Sequence, residues 1–456
     1  MKLNKKLISI ILVCFMVLSL IGCSSGKSSE STTTTPTKAP ATSEDKSSNE
    51  TAAEPITLTV WSVNELHSKM WEFGEAEYNK KHPEAPISVK VEILPNAEMH
   101  NKLLIALQSG TGAPDVADIN INFFSNFTSK DPQIVPLNDI VDKSFAEGTY
   151  EKSRFDLYKV QGNYYALPTH VGATVTYYNM EIIEKAGLTI EDVNAIETWD
   201  QYTAMGKTVL EKTGIPMTCF EVSNQRPFWP MIVQHGGDYL TVDNEVILDS
   251  ESNIEVLNYM SDMYKSGLAI QAGGGATSTE EFYSFMNAGS VASLTMPSWY
   301  MSRFLSYMPD LKGKIAIRPM PVFEQGEPRT VGIGGTGTAI TNQCKNIDVA
   351  KEFLYEAKLS YDANINIWNT LAFDPVNLDT WKDPVLLTAS EYFYNESFFA
   401  IMGPYISGCK SPANAELSVA AQDLVNNTIM YSVFVDQSKT PEEALTSAAK
   451  ELRAQQ

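Results

Sequence analysis

The chain has 456 residues, of which 34 are basic and 55 acidic, for a net charge of -21, and 43% are hydrophobic. That acidic field repels nucleic acid and anionic lipid surfaces, and the length suits two packed lobes better than one core. The five histidines, at positions 67, 82, 100, 170 and 235, show no H-x-H or H-E-x-x-H spacing, so no metal ligand set is visible and no cofactor is implied.

Lys2, Lys5 and Lys6 precede an apolar run from Leu7 to Leu20 that is too short to span a bilayer comfortably. It reads as a secretion signal over residues 1–22. The run ends Leu20-Ile21-Gly22-Cys23, which resembles a bacterial lipobox; that resemblance implies cleavage before Cys23 and a lipid, diacylglycerol with palmitate-type chains, on its thiol. An uncleaved anchor is the alternative. Cleavage would leave 31 basic against 55 acidic residues, a balance of -24. Residues 23–54 are rich in serine, threonine, proline, lysine and glutamate, cannot bury enough surface to offset chain entropy, and read as a flexible tether. No later run of eighteen apolar residues occurs. Cys219, Cys344 and Cys409 are too scattered for a disulfide scaffold or a thiolate metal site, and read as buried thiols or at most one bridge.

Ile56, Leu58 and Val60 alternate with threonines and predict a strand; Leu66, Met70 and Phe73 recur at helical spacing, and Lys80-Lys81-His82-Pro83 ends that helix. Ile87, Val89, Val91 and Ile93 alternate strictly with polar residues. A helix from about Ala97 stops at Gly110, and Val116 to Ile121 supplies another strand. This βαβαβ order predicts a parallel sheet covered by helices. Further on, Thr198-Trp199-Asp200-Gln201 is a capping box, and Ile254, Leu257, Met260 and Tyr264 form the apolar stripe of a helix ending near Gly267. Thr440-Pro441-Glu442-Glu443 starts the last helix. With no solenoid repeat, the economical architecture is two α/β lobes whose strand ends face a shared cleft.

Catalytic motifs are scarce. Gly332-Ile333-Gly334-Gly335-Thr336-Gly337 fits G-x-G-x-x-G by letters, but Thr338-Ala339-Ile340-Thr341 reads as strand, so no helix start is available for a pyrophosphate. The segment instead suits close backbone approach to a ligand or a crossing between lobes. No G-x-S-x-G elbow or Walker sequence occurs. A secreted glycoside hydrolase remains open, because its two carboxylates are positioned by the fold and not by local spacing.

Six strings in order resemble family 1 extracellular solute-binding proteins, the maltose-binding-protein type. They are Gly110-Thr111-Gly112-Ala113-Pro114-Asp115-Val116; Gly162-Asn163-Tyr164-Tyr165-Ala166-Leu167-Pro168; Tyr177-Tyr178-Asn179 leading to Glu184-Lys185-Ala186-Gly187-Leu188 and Thr198-Trp199; Gln234-His235-Gly236-Gly237; Phe285-Met286-Asn287-Ala288-Gly289; and Pro297-Ser298-Trp299. The resemblance implies a two-lobed Venus-flytrap fold of class II type, with one lobe from residues 55–169 plus 328–375 and the other from 170–327 plus 376–456. It also implies a monomeric, non-enzymatic ABC-importer component on the extracellular face, held to the membrane only by its lipid. Such a protein would capture a carbohydrate, an oligosaccharide by preference, and present it to transmembrane permease subunits.

Sugar stacks its C–H faces on aromatic rings and offers a rim of hydroxyls to planar donors and acceptors. By resemblance Trp299 matches a cleft tryptophan that stacks on sugar, with a core tryptophan as the alternative. Trp61 follows the first strand and is ligand contact or core packing. Asn120 and Asn122 end the strand after Pro114-Asp115-Val116, where the family places sugar-bonding carboxylates or amides; Asp118 ranks below them. His170 sits at the lobe crossing, and Gly334 and Gly335 resemble paired glycines beside the sugar. Maltose-binding protein has a ligand carboxylate where this chain has Gly172, so sugar specificity does not carry over. Trp229, Tyr300, Trp368 and Phe373 are second-rank aromatic candidates, each with core packing as its more common alternative.

Overall fold

The alternation of Ile56, Leu58 and Val60 with threonine does build a strand, Ile56–Ser62, the second of five in the first sheet of the computed structural model, whose central strand is Val116–Asn120. Residues 54–128 and 131–456 are described; the leader, Cys23 and most of the tether lie outside the described residues. The strands Ile87–Ile93 and Val116–Asn120 flank Ile56–Ser62, both parallel to it. The sheet is not all parallel as expected. Thr336–Ile340 pairs antiparallel with Val116–Asn120, and Leu167–Pro168 antiparallel with Thr336–Ile340. The register gives the reason: Thr336 starts its strand opposite Asn120, where the parallel strand ends, so the returning chain enters from that end and runs backwards.

The pleat divides the residues of this sheet between two cores. Leu58, Val60, Val116 and Ile340 face one way, toward Met70, Trp71 and Tyr78 of the helix Ser68–Lys81. Trp61, Ala117, Ile119 and Ala339 face the other, toward Met99, Leu103 and Leu107 of the helix Asn96–Ser109. Each fully buried large apolar side chain contributes about 1.5–3 kcal/mol.

The second sheet has Thr174–Asn179 in the middle, paired antiparallel with Ser293–Pro297 and with Ile315–Pro319. Its helices start as their sequences require. In both Trp199–Thr213 and Pro441–Arg453 the threonine hydroxyl accepts from the backbone three residues on, and Gln201 or Glu443 accepts from the threonine N–H, an arrangement worth about 1 kcal/mol per cap. Cys219, Cys344 and Cys409 are buried free thiols, not a bridge.

Between the sheets, several stretches of chain run side by side. Val171 N donates to Asp374 O, Thr174 N to Val331 O, Ile333 N to Gly172 O and Gly332 N to Lys410 O. The carboxylate of Asp374 accepts from the backbone N–H of Gly172 and of Ala173, each at 2.9 Å, and burial pushes its pKa up to about 6. Gly172 is required here: its φ is +68°, and a Cβ would meet the carbonyl of Ile333 at 2.7 Å. The position where the maltose-binding type carries a ligand carboxylate is thus filled by backbone packing.

Candidate functional site

The parallel strands of the first sheet end, and Ser293–Pro297 of the second ends, on the same cleft, which encloses about 910 Å³ of space, part of it open to solvent. From the first sheet's side come Asn64, His67, Asn120 and Asn122; from the crossings His170, Gly334, Gly335, Thr336 and Phe373; from the second sheet's side Asn224, Gln225, Arg226, Trp229, Trp299, Arg303 and Asn426.

Trp299 lies in the 3-10 turn Ser298–Tyr300 that follows its strand. Three residues per turn send neighbours to different sides. Trp299 is half-buried against the cleft and donates its indole N–H to the carbonyl of Ile333 at 3.3 Å, while Tyr300 is wholly buried and donates its hydroxyl to Thr277 O. Tyr300 is therefore core and does not line the cleft. Trp61 does not either: the strand continues through it to Ser62, and the pleat turns its ring to the helix Asn96–Ser109, where Lys102 Nζ sits 4.1 Å over it. Trp368 packs instead on Phe398 and Phe399, at centroid distances of 6.0 and 4.6 Å. Trp229 reaches the cleft from a buried seat, stacked on Tyr239 and bonded through its indole N–H to Asp238 at 2.9 Å. Asp238 is lifted to about 6 by burial.

The polar lining shares one habit. Asn64, Asn120 and Asn224 each accept, through Oδ1, the backbone N–H two residues on, from Leu66, Asn122 and Arg226 respectively; these are Asx turns. Asn426 Oδ1 accepts from Gln225 N at 2.7 Å. Among the described residues no hydrogen bond takes the NH₂ of these four. Backbone carbonyls along the glycine segment are occupied as well. Gly332 and Gly334 accept from Arg154, Ile333 from Trp299, Gly335 from Ile121 N and Thr336 from Thr169. Arg154 is fully buried and also reaches Ser411 Oγ at 3.1 Å, so it fixes the peptide planes of the segment from behind.

Two imidazoles line the cleft. His67 Nδ1 is 2.9 Å from Asp118, whose other partners are Ser62 Oγ at 2.6 Å and Thr338 Oγ1 at 2.6 Å. Burial alone would raise the Asp118 pKa, but His67 and Lys358 hold it below the usual value. Asp118 thus acts behind the lining. His170 is pushed well below its usual pKa by burial, helped by Arg154, His67 and Lys358, so it is neutral, and its Nδ1 has no hydrogen-bond partner. Gln225 Oε1 is likewise buried without a partner. Unpaired buried polar atoms cost about 1–3 kcal/mol each unless something arrives to bond them.

Sequence reasoning missed Asn64 and His67 because the turn Glu65–His67 reads as the start of the next helix. Asn224, Gln225, Arg226 and Asn426 carry no motif, and Arg303 sits in an ordinary helix, Met301–Tyr307. Phe373, weighed only as a secondary aromatic, lines the cleft edge-on to His170 at 4.9 Å. Among the described residues the lining contains no Asp or Glu, whereas glycoside hydrolysis takes a pair of carboxylates.

The chain resembles known proteins along nearly its whole length. It is 40% identical over 400 residues to the arabinooligosaccharide-binding protein of Halalkalibacterium halodurans, covering 87% of this chain and 89% of that one. With the arabinooligosaccharide-binding protein of Bacillus subtilis it shares 37% over 456 residues, 98% and 99% of the two chains. The fold matches the sugar-binding protein MalE of Xanthomonas citri with a TM-score of 0.72 at 18% identity, over 87% of this chain and 96% of that one; the architecture is that two-lobed α/β type. Residues 61–355 match the family model described as bacterial extracellular solute-binding protein, and the chain therefore belongs to the bacterial extracellular solute-binding proteins, which bind and are not enzymes.

Proposed function

We propose that this protein captures an arabinose-class oligosaccharide in the interlobe cleft and delivers it to the permease of an ABC importer. The observation that carries the reading is the cleft itself: an indole face, Trp299, surrounded by amides, imidazoles and guanidinium groups and flanked by buried polar atoms without partners. Apolar sugar faces suit the first, and hydroxyls suit the rest. The likeness in length and sequence to two arabinooligosaccharide-binding proteins supports the choice of sugar. Residues 55–169 with 328–375 form one lobe in this reading and 170–327 with 376–456 the other. Ligand favours the closed state because only that state touches it from both sides, and the closed monomer engages the permease.

A thermal-shift series with arabinobiose to arabinohexaose tests the ligand. A true ligand at a hundred times its Kd stabilises by about 2.7 kcal/mol; no shift with any member, alongside a shift with another sugar class, would reassign it. Cys23 carries the lipid in this reading and holds the protein at the outer face of the cell membrane. Palmitate labelling that persists in Cys23→Ala would place the anchor elsewhere.

A further inference from the structure

We propose that the ligand is an acidic oligosaccharide, and that Arg303 receives the carboxylate of a uronic acid unit on it. The inference rests on the carbohydrate reading and sharpens it. Its basis is an unpaired positive charge in a lining that is rich in free hydrogen-bond donors and, among the described residues, holds no acid. Asn64, Asn120, Asn224 and Asn426 all direct their oxygens to backbone N–H groups and keep their NH₂ groups free. The carbonyls from Gly332 to Thr336 are all occupied, so that stretch has no carbonyl left without a partner. Against these donors stand, in the lining and among the described residues, two free side-chain amide oxygens, the buried Gln225 Oε1 and that of Asn122.

Charge points the same way. In a chain of net charge -21, the lining has two arginines and, among the described residues, no acid. The arginines differ. Arg226 Nη1 is bound to both oxygens of Glu221 at 3.1 and 3.2 Å and to Thr277 Oγ1 at 3.2 Å. Arg303 has, among the described residues, one hydrogen bond, to Ser302 Oγ at 3.4 Å, and no carboxylate within 4.0 Å. Closing the lobes over a neutral sugar would strip water from that guanidinium without a counter-charge, a costly event. A carboxylate on the sugar supplies the charge and two acceptor oxygens in the planar geometry that guanidinium prefers.

The test uses purified full-length protein and three probes: arabinotriose, arabinotriose bearing one glucuronic acid unit, and the methyl ester of that acid, which keeps its shape and loses its charge. Titration calorimetry at low salt should find the acid at least about tenfold tighter than the ester. The advantage should shrink as salt rises. In Arg303→Gln the acid-to-ester ratio should fall to about one; because it is a ratio within one preparation, a partly unfolded variant does not distort it. Equal binding of acid and ester, or an advantage that survives Arg303→Gln, overturns the assignment and leaves the carbohydrate reading intact. Failure of all three probes to bind overturns the assignment together with the choice of an arabinose-class sugar.

Discussion

On the first wall of the cleft, His67 is anchored through the core: Asp118 is fully buried, and Thr338, which donates to it, accepts in turn from the buried Nζ of Lys358 at 2.6 Å. On the second wall Arg226 is anchored near water, its side chain 31% exposed beside Glu221. Both arrangements hold a cationic or imidazole group at the cleft by a carboxylate. They differ in what else depends on them. The first is continuous with the sheet through Ser62 and Thr338, so ligand geometry and stability rest on the same bonds; on the second, the buried Glu221 accepts besides Arg226 only the backbone N–H of Thr277, at 2.7 Å, and its guanidinium partner stays partly in water.

The largest effect expected of that difference is on stability. Asp118→Asn leaves Lys358 and His67 facing a neutral amide in the core and should cost about 3–5 kcal/mol in urea unfolding, whereas Glu221→Gln should cost about 1–2 kcal/mol because Arg226 keeps part of its water. Equal losses on the two walls would break the comparison. Next in size, Trp299→Ala should weaken binding of the sugar by about 2–4 kcal/mol and shift unfolding of the free protein by about 1 kcal/mol or less, since its ring is only half-buried. Near-normal affinity with a large stability loss would move Trp299 into the core.

The smallest effect sharpens the first wall through pH. Burial lowers the Lys358 pKa to about 7, opposed by Asp118, against about 10.4 in an unfolded chain. Between those values the unfolded chain holds a proton that the native one has released. Stability should therefore rise with pH above 7, by up to about 1.4 kcal/mol per unit, and be lost as pH falls back through 7. The buried thiols of Cys219, Cys344 and Cys409, raised by burial, oppose this from about pH 8, and buried tyrosines such as Tyr177, likewise raised, as pH nears 10, so the slope is read between about pH 7 and 8. Lys358→Met should flatten it; a variant that keeps the wild-type slope sinks the assignment.

Local rules made much of the fold legible. Period-two alternation located Ile56–Ser62 and Ile87–Ile93, and the capping pairs Thr198 with Gln201 and Thr440 with Glu443 located two helix starts, because those signals act within a few residues. The mixed sheet was not legible, since it depends on where the chain returns from the other sheet. At the cleft, strand ends pointed to Asn120 and Asn122, and the tryptophan after Pro297 to Trp299. For Trp61 and Tyr300 the core alternative holds, because one step of a strand or a turn is enough to reverse a side chain. The cleft amides of Asn224 and Asn426 had no signal at all, because they meet only after the chain has folded.

The strand Thr336–Ile340 has a consequence for biogenesis. Thr336 pairs with Asn120, 216 positions earlier in the chain. A ribosome adding about 5–20 residues per second has therefore made three quarters of the protein before the first sheet can gain the strand that its edge awaits. Contacts of such long range form slowly, and until then the edge of Val116–Asn120 stays open. For a protein whose family works outside the cell, that delay favours export as a chain not yet committed to its native sheet, with both lobes closing only on the far side of the membrane.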